Sequence, residues 1–205
     1  AATGEAMGKL VAQFECELAD RLRAAGDIDA ARAAIKRAYA ADSTSVRAGI
    51  SEGRIEAEAD NPMGALRAFE RAARHDPDYL PVILPALLDS YGKLGERTGA
   101  RAFLAEMSEH YRGIAPVLAL AKMIEAEEGV TAARRYLGQQ LKDRPSVRGE
   151  AALIDLSLAE HADTRQADAE STLHELKHIT DQLLVRNPSY RCNRCGFGAR
   201  SHHWQ

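Results

Sequence analysis

Ala31, Ile35, Ala38 and Ser43 recur 34 residues later as Ala65, Phe69, Ala72 and Pro77, so the pattern Ala-x3-Φ-x2-Ala-x4-Pro/Ser is written twice in register. A fixed period of this size constrains the fold strongly, because a unit so short cannot bury its own apolar face and has to stack on its neighbours. The frame continues down the chain: Phe103 follows Phe69, and Leu137 follows Phe103, by the same step. Gly26-Asp27, Asp60-Asn61, Leu94-Gly95 and Glu128-Gly129 fall at a second fixed phase, where Gly or Asn can take φ > 0 between two helices. Asp163 falls in the same phase. Alanine, leucine, arginine and glutamate dominate the 205 residues and aromatics make up 5%, which points to an almost wholly helical chain.

The repeated pattern resembles the second helix of a tetratricopeptide repeat. Small alanines let that helix approach the first helix beside it, Ile35 or Phe69 fills the space between, and Pro77 stops the helix. The expected fold is therefore all-α, a right-handed solenoid of about five helix pairs at 10–41, 45–74, 80–110, 115–142 and 147–186, with Pro145 ending the fourth. The fifth pair departs from the pattern, since Ser171 stands where the large apolar residue belongs and the helix runs on through Leu173, Leu176, Ile179, Leu183 and Leu184. That is the character of a terminal unit, whose outer apolar face has to be covered by something else.

In arrays of this kind the first helix of each pair lines the concave surface. The frame puts Gln13, Cys16, Asp20 and Arg23, then Arg47, Ile50 and Arg54, then Val82 and Asp89 on that side. Asp20, Arg23, Arg47, Arg54 and Asp89 are the candidate partner-binding residues. Arg47 and Arg54 fall about two turns apart on one helix face and form the best candidate pair for an acidic segment. The competing view is a solvated polar face with no ligand.

The last residues carry a different chemistry. Cys192-x-x-Cys195 followed by Gly196 is half of a tetrathiolate knuckle: two thiolates converge on one metal, the glycine lets backbone N–H groups approach the sulfurs, and Tyr190 and Phe197 can shield them. Three readings compete: a partner Cys-x-x-Cys beyond Gln205, a mixed site completed by His202 or His203, and two reduced cysteines that hold no metal. The arginines at 191, 194 and 200 favour thiolates there. The chain divides by composition into an array over 1–186 and a first half-ribbon over 187–205, which is expected to dock on the last helices.

Composition excludes several classes. A formal net charge of -3 argues against nucleic acid as a partner. No run approaches the roughly 20 apolar residues needed to span a bilayer, no signal peptide is recognisable at Ala1, and three cysteines suit a reducing compartment. Catalysis has little support, with no Gly-x-Ser-x-Gly context and no Gly-rich phosphate loop. His174 and His178 share a helix face at i, i+4 spacing without the facing carboxylates of a metal centre. The expected protein is not an enzyme.

Repeats that run directly into Asn187-Pro188-Ser189-Tyr190-Arg191-Cys192-Asn193-Arg194-Cys195-Gly196-Phe197, with Trp204 a few residues on, resemble the lipopolysaccharide assembly protein B family of Gram-negative bacteria. The Cys16-Glu17-Leu18-Ala19 segment and the Ala-rich repeats after it resemble the family's later repeats. The resemblance implies a rubredoxin-type site of four cysteines holding iron or zinc, of which only Cys192 and Cys195 transfer to this chain; the family's second Cys-Pro-x-Cys would begin just after Trp204-Gln205. It implies an N-terminal membrane anchor outside this chain and a place at the cytoplasmic face of the inner membrane. It also implies an adaptor that brings the deacetylase committing lipid A synthesis, the UDP-3-O-acyl-N-acetylglucosamine deacetylase, to a membrane-anchored AAA+ protease, with an inner-membrane lipopolysaccharide sensor as antagonist. The rival classes are a peptide-binding co-chaperone acting through Arg47 and Arg54, and a metal-dependent redox protein.

Overall fold

The computed structural model describes residues 2–161, 173, 174, 176–178, 180–182, 184, 190, 191, 198 and 199. Its helices are α1 (Ala2–Ala24), α2 (Ile28–Ala41), α3 (Val46–Glu58), α4 (Pro62–His75), α5 (Leu80–Leu94), α6 (Arg97–His110), α7 (Ala115–Glu128), α8 (Val130–Asp143) and α9 (Val147–His161), with a 3₁₀ turn at Pro77–Tyr79 ahead of α5. Residues 173, 174, 176–178, 180–182 and 184 are also helical. Two short strands, β1 (Tyr190–Arg191) and β2 (Gly198–Ala199), pair antiparallel with Tyr190 opposite Ala199 and Arg191 opposite Gly198.

The turns among the described residues are where the sequence phase puts them. Among the described residues, positive φ occurs at Gly26 (80°), Asp60 (55°), Gly95 (72°) and Gly129 (90°) and nowhere else. Three of these turns close with the same bond, an N–H reaching back five residues: Asp27 to the Leu22 carbonyl (3.0 Å), Asn61 to Glu56 (2.9 Å) and Glu96 to Tyr91 (3.0 Å). This is the Schellman closure, which satisfies orphan carbonyls at a helix end and requires the left-handed residue just before. The next helix is then capped at once, with the Asp27 side chain accepting from Ala30 N (3.1 Å) and the Asn61 side chain from Gly64 N (3.0 Å).

Packing divides the chain into two units, Ala1–Phe103 and Leu104–Gln205, with the boundary inside α6. In the first unit α1 packs on α2, α3 on α4, and α4 on α5, while α3 also meets α1, α2 and α5. The repeat signature forms the core: Ala31, Ile35, Ala38, Ala65, Phe69, Ala72 and Phe103 are all buried, at 4% exposure or less. Alanine at the flanking positions brings backbones together, and the one large side chain per unit fills the gap. In the second unit α7 packs on α8 and α8 on α9, with Val117, Leu120, Ala133 and Leu137 buried.

The first helix begins at Ala2 rather than at residue 10. Gly8 explains the extra turns: a side chain there would meet the Ala41 carbonyl oxygen at 2.6 Å, so glycine is what lets the start of α1 lie against the end of α2. Ile50 and Cys16, placed by frame on the concave side, are core residues at 1% and 0% exposure. The expected turn at Asp163 and the substitution at Ser171 lie outside the described residues, as do Ile179 and Leu183 beneath the expected half-ribbon.

Candidate functional site

α1 and α3 lie side by side, and the candidate groove residues on them form one hydrogen-bonded seam. Arg47 on α3 donates through Nη1 to Gln13 (2.9 Å) and through Nη2 to Glu17 (2.9 Å), with Asp20 at 3.6 Å. Asp20 also accepts from Ser51 Oγ at 3.2 Å. Arg23 on α1 reaches across to Glu58 at the end of α3 and lies 4.0 Å from Asp20. Donation from Arg47 is the main cause that holds the Glu17 carboxyl below its usual range.

This arrangement changes what the two arginines can do. Arg47 is buried at 8% exposure, its guanidinium engaged with α1, so it ties two repeats together rather than standing open to an incoming acidic segment. Arg54, two turns on, is half-buried and has no partner among the described residues. The anticipated two-arginine receptor is corrected to a single available guanidinium, because the carboxylates of the neighbouring repeat already hold the other. Asp89 is exposed on α5 and pairs with Lys93 at 3.2 Å. The structure therefore brings together Asp20, Arg23 and Arg47, and leaves Arg54 and Asp89 outside that network.

Cys192 and Cys195 lie outside the described residues, as do His202 and His203. Among the described residues no cluster of three or more His, Cys, Asp or Glu side chains is placed to hold a metal ion. His174 and His178 are exposed, and His178 Nε2 lies 2.9 Å from Gln182 Nε2.

Two networks on other faces were not anticipated. Arg32 on α2 forms a two-pronged pair with Glu56 on α3, through Nε at 2.7 Å and Nη2 at 2.9 Å, and Asn61 donates to the same carboxylate at 2.7 Å. Glu52 accepts from Tyr39 (2.8 Å) and Arg71 (2.6 Å), and burial pushes the Tyr39 hydroxyl up to about 12. The sequence signal for the second was available: Arg67, Arg71 and Arg74 stand at i, i+4 and i+7 and so share a face of α4.

No helix of the described residues is long and apolar enough to cross a membrane. No family model matches the chain. Among solved structures it resembles the Pseudomonas aeruginosa pilF protein, with a TM-score of 0.54 at 15% identity over 84% of this chain and 78% of that one. It also resembles MamA, with a TM-score of 0.52 at 13% identity over 86% and 94%. These likenesses establish the tetratricopeptide-type fold. Among curated proteins it is 32% identical over 194 residues to lipopolysaccharide assembly protein B of Escherichia coli K12, covering 95% of this chain and 49% of that protein. The protein of the same name from Haemophilus influenzae is 26% identical over 187 residues, 91% of this chain and 46% of that one. The chain thus spans about half the length of the curated relatives it matches. With nearly its whole sequence aligned to them, this chain is homologous to about half of lipopolysaccharide assembly protein B.

Proposed function

We propose that the chain is part of a non-enzymatic scaffold that regulates lipopolysaccharide synthesis by bringing the lipid A-committing deacetylase to a membrane-anchored AAA+ protease. The observation that carries this reading is the 32% identity over 95% of the chain to a protein named for lipopolysaccharide assembly. Stacked helix pairs suit such a role, since they offer extended surfaces for two partners at once. The scaffold acts at the cytoplasmic face of the inner membrane through an anchor outside this chain, and an inner-membrane lipopolysaccharide sensor antagonises it. Arg54, Asp89, Asp20 and Arg23 belong to the surface that partners meet, with Arg47 holding α1 against α3 beneath it. Cys192 and Cys195 supply two of four thiolates for iron or zinc, a centre that fixes the end of the array rather than carrying out chemistry.

The test is the lifetime of the deacetylase in cells. Removing the full-length protein, or changing Cys192→Ser together with Cys195→Ser within it, should lengthen that lifetime. An unchanged lifetime with normal amounts of the variant protein would overturn the metal-fixed scaffold, and an unchanged lifetime in its complete absence would overturn the adaptor itself. Metal content separates the ligand question: this chain extended through a second Cys-x-x-Cys should bind one equivalent, and equal binding without the extension would point to His202 and His203.

A further inference from the structure

Between the α2–α3 turn and α4 lies a cleft of about 580 Å³ that the proposed function does not use. One wall is the face of α4 that carries Arg67, Arg71 and Arg74; the other is the turn at Ser43, Thr44 and Ser45 with the first turn of α3. Three guanidinium groups in this lining face one carboxylate, Glu70. The positive end of the α3 dipole adds to the same sign.

The three arginines are held differently. Arg71 is fixed by Glu52 at 2.6 Å, and Arg74 by Glu70 at 2.9 Å, with its guanidinium 5.3 Å from the centre of the Phe103 ring. Both are thereby pre-set in position, which lowers the ordering cost of receiving a ligand. Arg67 is exposed and has no partner among the described residues, so its charge is available to whatever enters. The floor between the walls is the ring of Tyr39 with Val46, Gly49 and Ala72, a surface for methylene groups rather than for water alone.

The charge is particular to this cleft. Two repeats further on, in the second unit, the corresponding turn forms another cleft of about 660 Å³, but there Arg112 and Arg144 are matched by Glu109 and Asp143. Arg135 stands at the repeat position of Arg67 and is exposed, yet it does not line that second cleft.

We infer that the cleft between the α2–α3 turn and α4 is a docking site for an acidic segment of a partner protein, with Arg67 as the residue that reads its carboxylates. Spaced carboxylates on methylene stems fit both the arginines and the apolar floor. Glu70 in the same wall disfavours a compact dianion such as phosphate. The inference does not depend on which partners the scaffold serves.

A short fluorescein-labelled polyglutamate peptide, followed by anisotropy against the 205-residue chain, tests it. Binding should weaken with added salt and fall about tenfold in Arg67→Glu, while Arg135→Glu, the same change of net charge at the equivalent repeat position, should leave it unaltered. Circular dichroism of both variants checks that the helices persist. No binding by the parent chain, no loss in Arg67→Glu, or the same loss in both variants would each overturn the assignment. So would Arg67-dependent binding to phosphatidylglycerol vesicles without binding of the peptide, which would transfer the site to lipid phosphate.

Discussion

The ring of Phe69 lies so close to the α-carbon of Gly53 that a methyl group at position 53 would overlap Cδ1, Cε1 and Cζ of the ring. Gly53 is buried in α3 and Phe69 is 1% exposed in α4, so neither backbone nor ring has free space to give. Gly53→Ala should therefore destabilise the chain by about 2 kcal/mol, despite the better helix propensity of alanine. Phe69→Leu opens space at the same spot. The double variant should be less destabilised than the sum of the two single variants, as read from urea midpoints in a double-mutant cycle. Simple additivity would mean that the contact is relieved elsewhere.

That contact marks the limit of what the repeat phase could say. The 34-residue step placed Ile35, Phe69, Phe103 and Leu137 in the core and located the positive-φ glycines Gly26, Gly95 and Gly129, because both properties depend on local spacing, whereas in the second turn Asp60 takes the conformation expected of Asn61. Gly53 carries no such mark, since its need for a missing side chain comes from a residue sixteen positions away on another helix. Arg47 and Arg54 share a face, as their spacing requires. That Arg47 is spent on Gln13 and Glu17 depends on the α1–α3 approach, which periodicity does not encode. The three arginines of α4 were legible as a row, whereas the turn that makes the other wall of their cleft was not.

Asp60 takes the left-handed conformation at φ 55° in a turn whose counterparts use Gly26 and Gly95. Aspartate tolerates this region at a cost that glycine avoids, and the Asn61 N–H to Glu56 carbonyl closure needs the conformation whichever residue stands there. Asp60→Gly should raise stability by about 0.5 kcal/mol, the relief of strain exceeding the added freedom of the unfolded chain. Gly95→Ala should lower it by about 1 kcal/mol for the converse reason. Thermal melts of the two variants beside the parent chain check both signs, and a loss in Asp60→Gly would mean that the aspartate side chain contributes more than its backbone costs.

Donation from Arg32 and from Asn61 holds the Glu56 carboxyl below its ordinary value of 4.5, against the opposing effect of partial burial. A carboxylate with a depressed folded pKa adds stability that is present above about pH 4.5 and is lost as pH falls through the folded value. Glu56→Gln should thus cost about 1 kcal/mol at neutral pH, a figure discounted because Arg32 is partly solvent-screened. The gap between variant and parent should close in acid. Urea titrations at neutral pH and near pH 3 measure it, and a gap that stays constant with pH would assign the loss to packing instead of charge.

Cys16 is fully buried among Ala12, Ala38 and Ala48, where burial pushes its thiol up to about 11 against the opposing pull of Arg47. The thiolate is the reactive form, so iodoacetamide at neutral pH should spare Cys16 in the folded chain and label it once urea opens the α1–α3 seam. Peptide mapping separates that signal from Cys192 and Cys195. The same shift sets an alkaline limit: a group whose folded pKa lies above its unfolded value of 9.0 contributes stability in full below that pH and loses it as pH rises toward 11. Cys16→Ala should cost about 1 kcal/mol at pH 8 through lost packing and should show a shallower decline between pH 9 and pH 11. Labelling of native Cys16 as fast as in the unfolded chain would place this helix pair in ready exchange with an open form.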